Sequence, residues 1–164
     1  MLEKLTGVTL LTASLLVAPN AAADLDSPDG RLTMFLGPYV YHYSNNAEHN
    51  NEPHMVGFEW KPEKYVVDFG LVYFVNSFYQ DSVYAYVGKR WFLSDSNEGV
   101  FLNLTAGPLY GYRDQYENKV PFNHNGLGFA IIPGIGYQYR SVNAQFVILG
   151  TAAIMMTFGY DFYR

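Results

Sequence analysis

The sequence predicts an all-β fold, an eight-stranded antiparallel up-and-down transmembrane β-barrel, and three observations carry that prediction. Apolar residues recur with a period of two from Arg31 onward. Clusters of turn-forming residues cut that stretch into eight segments. The chain is 18% aromatic, with 15 Tyr and 12 Phe, yet its mean hydropathy is only -0.05. Strands with one apolar and one polar face have that balance, whereas a bundle of membrane helices would be far more apolar.

The first element is a signal peptide at 1–23. Lys4 supplies the positive charge, Gly7 to Val17 an apolar run too short to cross a bilayer, and Ala21-Ala22-Ala23 before Asp24 the small residues that a signal peptidase cleaves after. The barrel domain then occupies 24–164. No other stretch approaches the roughly 20 apolar residues of a membrane helix.

Strands are expected at about 32–43, 54–60, 65–76, 83–92, 99–112, 127–139, 143–150 and 153–163. In the third, Tyr65, Val67, Phe69, Leu71, Tyr73 and Val75 form one apolar face, long enough to cross a bilayer at a tilt. In the last, Ile154, Met156, Phe158, Tyr160 and Phe162 do the same, and the chain ends in aromatics as a closing seam would. An even strand count puts both termini on one side, the periplasm. It also puts the longer breaks, Ser44 to Pro53 and Arg113 to Gly126, on the outer side. Alternation by itself does not say whether the apolar face points out to lipid or inward, as in a soluble sandwich or lipocalin-like barrel. The signal peptide, aromatic density and strand length favour lipid.

An eight-stranded barrel has an interior that side chains fill or that holds one slender ligand, so a general porin is excluded on size. Gly57, Gly70, Gly88, Gly107, Gly134 and Gly136 either leave room for an acyl chain or mark bends. The net charge of -5 comes with no basic stripe, which excludes nucleic acid as a partner. The absence of Cys excludes disulfides and thiolate chemistry.

Topology gathers His42, Asn76-Ser77, Asp81-Ser82 and Arg113-Asp114 on the outer rim. A hydroxyl with an imidazole is the minimum for acyl transfer, the His taking the Ser proton. Glu48, His49, Glu52 and His54 are better read as a hydrophilic outer loop than as a metal set; no metal or cofactor is expected.

Three segments then resemble the outer-membrane lipid A palmitoyltransferases. Val40 to Trp60, with His42, Asn51-Glu52-Pro53 and Gly57-Phe58, is similar to that family's first hairpin. Phe74-Val75-Asn76-Ser77, continuing to Ala85 and Gly88, is similar to its Phe-x-Asp-Ser run and the strand after it. Leu104-Thr105-Ala106-Gly107 followed by Arg113-Asp114 resembles its fifth strand and third outer loop. The resemblance implies transfer of a palmitoyl-like chain from a phospholipid to lipid A or another outer-leaflet lipid. It implies His42, Asn76 and Ser77 as the catalytic positions, with Asn76 standing where the family has Asp. Gly88 would set the depth of the lumen, and Pro53 and Pro133 would mark lateral openings between strands. Leu149 stands where a second seam proline is expected. Arg113 and Asp114 are candidates for lipid contact. A monomer in the outer membrane of a diderm bacterium is expected. The alternative is a non-catalytic surface barrel that binds lipid or alters access to the envelope.

Overall fold

The computed structural model describes residues 30–44 and 49–163, so the signal-peptide segment lies outside the described residues. Eight strands form a closed barrel: β1 (Gly30–His42), β2 (Met55–Pro62), β3 (Asp68–Val75), β4 (Asp81–Phe92), β5 (Gly99–Tyr110), β6 (Leu127–Tyr139), β7 (Val142–Leu149) and β8 (Ala153–Tyr163). Each pairs antiparallel with its sequence neighbour. β8 returns to β1, where His42 lies opposite Ala153, so the sheet closes on itself. The loop after β5 carries a short 3-10 helix, Asp114–Lys119.

The expected third strand is too long at its start. Tyr65, Val66 and Val67 belong to the turn, because β2 continues through Lys61 and Pro62 to pair with Arg31 and Gly30 of β1. The β2–β3 ladder accordingly begins at Trp60 opposite Phe69.

The direction of each face, open in the sequence, is decided by packing. Phe69 and Leu71 are 42% and 56% exposed, whereas Asp68 and Val72 beside them are buried. The outward positions of β3, β5, β6, β7 and β8 carry no charged side chain. Leu104, Ile131 and Phe146 occupy the middle of the outer wall. Tyrosines cluster toward its two ends, Tyr41, Tyr73 and Tyr110 at one and Tyr137, Tyr139 and Tyr160 at the other.

Inside, the barrel has two zones. At the end bearing Gly30 and Tyr163, charged groups interlock across the lumen. Glu59 receives Arg90 at 3.1 Å and Arg31 at 3.4 Å, Arg31 also reaches Asp68 at 3.5 Å, and Arg90 donates to Gln138 at 3.0 Å. Asp161 accepts from Thr33 at 2.6 Å and from Gln138 at 3.0 Å. Buried charges persist when paired and hydrogen-bonded. This cluster links β1, β2, β3, β4, β6 and β8 in that way, with the buried Nε groups of Arg31 and Arg90 left without a partner. Toward the other end the inward residues become apolar: Phe35, Val40, Met55, Val72, Leu109 and Met155 form one buried cluster.

Interior glycines make room for rings. A Cβ on Gly70 would collide with the Tyr86 ring, and one on Gly57 would fall 2.6 Å from the Phe35 ring. The space these glycines leave is filled by neighbouring aromatics.

Candidate active site

The apolar zone surrounds a cavity of about 480 Å³ that opens at the loop end of the barrel, within the size range of small-ligand pockets. Val40, Met55, Val72 and Leu109 line its wall. Its lower lining includes Tyr86, whose hydroxyl donates to Glu59 at 2.8 Å and so ties the cavity to the charged cluster. Tyr84 stacks on Tyr86 with centroids 5.1 Å apart and donates to Thr105 at 3.1 Å. Gly88 faces inward but lies one inward position past Tyr86, outside the cavity lining. Tyr86, whose ring is seated in the space left by Gly70, lines the cavity where Gly88 was expected to.

At the mouth, His42 at the end of β1 meets Ser77 in the turn after β3. His42 Nε2 lies 2.7 Å from Ser77 Oγ, and His42 Nδ1 lies 2.9 Å from Asn51 Oδ1. With the amide oxygen as acceptor, Nδ1 carries the proton and Nε2 is left to accept from the serine. This is a hydroxyl, a base and an orienting group in line, the geometry used by serine and cysteine acyl-transfer sites.

The orienting group is Asn51, and that corrects the expectation placed on Asn76. The Asn76 side chain is fully buried and its hydrogen-bonding capacity is spent elsewhere. Oδ1 accepts from the N–H groups of Phe78 at 2.8 Å and Gln80 at 3.1 Å, while Nδ2 donates to Ser82 Oγ at 3.1 Å and the Gly111 carbonyl at 3.3 Å. Asn76 thus shapes the turn that presents Ser77 and does not touch the imidazole. Asn50 fastens the facing loop to that turn. Its N–H donates to the Ser77 carbonyl at 3.0 Å and its side chain to the Asn76 carbonyl at 3.3 Å, which sets Asn51 beside His42.

Aromatic rings wall the site. His49 lies against His42 with centroids 4.6 Å apart and edge-on to Phe78. Phe78 stacks on Tyr116 at 3.9 Å. Tyr112 also lines the cavity; burial pushes its phenol up to about 12, with the Ser77 hydroxyl pulling the other way. Asn51, Asn50, Tyr112 and Phe78 were not singled out as site residues by the sequence reading. The signal for Asn51 was its place in the Asn51-Glu52-Pro53 segment, read there only as part of a resemblance.

Arg113 and Asp114 do not line the cavity. Arg113 is exposed and lies over the outward-facing Tyr110 at 6.0 Å, and Asp114 opens the 3-10 helix with φ +58°. Among the described residues no three His, Asp or Glu side chains gather as a metal set would.

The prolines stand where ladders stop. β6 and β7 pair only up to Gly134 opposite Val147, and Pro133 follows on the loop side with no N–H to offer. From Leu127 to Pro133, β6 has no strand partner on its β7 side, where the Phe129 N–H bonds to the Pro121 carbonyl at 3.1 Å. The β1–β2 ladder likewise ends at Gly37 opposite Met55, with Pro38 next in β1 and Pro53 two residues before Met55. Outside this second seam, Leu36, Pro38, Val56 and Phe158 frame an apolar groove that shares Met55 with the inner cavity.

No protein-family model matches this chain, and no curated protein matches it.

Proposed function

We propose that this chain is an outer-membrane acyltransferase that takes a fatty acyl chain from a phospholipid and passes it to a hydroxyl of lipid A or a similar outer-leaflet lipid. The observation that carries the reading is the Ser77–His42–Asn51 relay at the mouth of an apolar, blind-ended cavity. A nucleophile and base set in an aqueous cleft would suit many substrates. Set above a narrow apolar well, they suit an ester whose acyl chain is buried while its carbonyl stays at the rim.

The outer surface supports the membrane part of the reading. A continuous apolar belt between two sets of tyrosines fits a hydrocarbon core flanked by its interfaces. In water the same belt would far exceed the few hundred Å² of contiguous apolar surface that soluble monomers expose. The unpaired stretch of β6 and the β1–β2 seam give a lipid tail sideways routes between membrane and cavity. Arg113, on the outer side of the rim, suits a lipid phosphate. A monomer suffices, since one chain closes the barrel.

In the reaction, His42 takes the Ser77 proton as Oγ attacks the donor ester. It then protonates the departing lysophospholipid alkoxide. The acceptor hydroxyl enters by the reverse steps, with no metal or cofactor required. One observation favours the non-catalytic alternative: the group behind His42 is an amide, which fixes the tautomer but adds no charge to stabilise an imidazolium. The deciding experiment is acyl transfer from a labelled phospholipid in detergent, with mass spectrometry of lipid A from cells with and without the protein. Transfer that disappears in Ser77→Ala and His42→Ala supports the enzyme. A folded native barrel with no transfer, or transfer unaffected by His42→Ala, puts the lipid-binding surface barrel first.

A further inference from the structure

We infer that Lys119 holds the phosphate of the acyl donor, which makes a phosphate-bearing glycerolipid, and not a neutral acylglycerol, the lipid this site takes. The inference rests on the acyl-transfer reading above and names the group that selects its donor. A donor whose ester carbonyl lies at Ser77 sends one acyl chain down the apolar well. Its glycerol and headgroup then stay at the mouth, among the loops. In a glycerophospholipid the phosphate is carried by the same three-carbon glycerol as the ester, so it stays at the mouth as well. An anion that leaves water for the edge of an apolar cavity needs an opposite charge to meet it.

The mouth offers that charge. Among the described residues lining the cavity, Lys119 is the sole permanently charged side chain, and none is Asp or Glu. Lys119 is exposed, and no carboxylate among the described residues makes an ion pair with it. Asp114 and Glu117 of the same 3-10 helix do not line the cavity. The charge is therefore not already spent within the protein. Its backbone position is fixed by the residues that follow. Val120 is buried in the apolar cluster, and its N–H donates to the Glu117 carbonyl at 3.4 Å. The Phe129 N–H of β6 donates to the Pro121 carbonyl at 3.1 Å. Gly128 leaves the space in which Val120 packs, since a Cβ there would fall 2.6 Å from Val120 Cγ1. Lys119 is thus a compact cation on a flexible stem, rooted at a fixed point of the rim. Arg113, by contrast, lies over the outward-facing Tyr110 and meets lipid outside the barrel.

The test compares two donors with the same acyl esters, labelled dipalmitoyl phosphatidylglycerol and dipalmitoylglycerol, on the intact protein in non-ionic detergent. Lipid A is left out because it carries phosphate of its own, so water takes the acyl group and released palmitate is measured. Native protein should prefer the phosphate-bearing donor by about fivefold in kcat/KM, the upper end for an exposed ion pair. Lys119→Met should raise KM for that donor by the same factor, with kcat held, and leave cleavage of dipalmitoylglycerol as it was. Lys119→Arg should keep the preference, and so should Lys64→Met, which removes a charge from the opposite end of the barrel. In native protein the preference should shrink as salt is raised to about 0.5 M, where exposed charges are screened. A native protein that cleaves both donors equally, a preference unmoved by salt, or one that survives in Lys119→Met would overturn the role of Lys119 while leaving the acyl-transfer site standing. If native protein cleaves neither donor, or Ser77→Ala cleaves them equally well, the acyl-transfer reading itself falls.

Discussion

At the scale of single residues, the two asparagines near His42 have opposite duties, and substitution should separate them. Asn51 faces the imidazole, so Asn51→Asp supplies the charge that an imidazolium lacks. Acyl transfer should rise by an order of magnitude or more, given that loss of such a carboxylate costs a hydrolase roughly 10⁴-fold. Asn76→Asp should do the reverse. It keeps the two N–H donors of Phe78 and Gln80 but turns a carboxylate oxygen toward the Gly111 carbonyl. Thermal unfolding should show a loss of about 1–3 kcal/mol, and transfer should fall as the Ser77 turn loosens. If Asn76→Asp were the faster enzyme, the assignment of Asn51 would be wrong. Tyr112 adds a pH signature. Its folded value of about 12 lies above the ordinary 10 of a phenol, so the fold prefers the neutral form. That stabilisation is complete below about pH 10 and disappears as pH climbs through about 12. Denaturation curves compared across this window should show native protein losing stability with rising pH that Tyr112→Phe keeps.

At the scale of elements, β3 shows what the period of two could and could not reveal. Alternation located the strand and its two faces, and tertiary packing decided which face is lined by its neighbours. Phe69→Arg should block assembly or cost roughly 2–4 kcal/mol in a lipid environment, whereas Val72→Thr on the cavity wall should be tolerated; folding yields into liposomes measure both. The start of β3 was misread because Tyr65 and Val67 continue the alternation, while the extra pairing of Lys61 and Pro62 with β1 is a long-range fact that no local pattern carries. The site followed the same rule. His42 and Ser77 were legible because topology brings the ends of β1 and β3 to one rim. Asn51 and Tyr112 were not, because loop residues converge through side-chain geometry that spacing does not encode. The glycines of the lumen were half legible: close approach was expected, but the approaching groups are the protein's own rings. Gly70→Ala should therefore drive the Tyr86 ring into the cavity and shorten the acyl chain accepted. Gly88→Ala, outside the lining, should leave chain preference as it is, a contrast that donor competition assays read directly.

At the scale of the whole molecule, the barrel is divided across its length. One half is an apolar well open to the loops. The other is cross-braced by Arg31, Glu59, Asp68, Arg90, Gln138 and Asp161, with Arg90 also lying 4.4 Å from the Phe101 ring centroid. The bracing fixes the floor of the well, and it has a second consequence, which is electrical. A continuous water column is what turns a barrel into a conductor, and here the column is interrupted by side chains paired across the lumen that have little freedom to move aside. Reconstituted in a planar bilayer, the native protein should behave as an insulator, with no unitary current steps under an applied voltage. Removing both the acid and the base at the centre of the brace, in Glu59→Ala with Arg90→Ala, should open a leak for small ions. Stable current steps from the native protein would mean that the brace opens and closes, and that this half of the barrel is a gate.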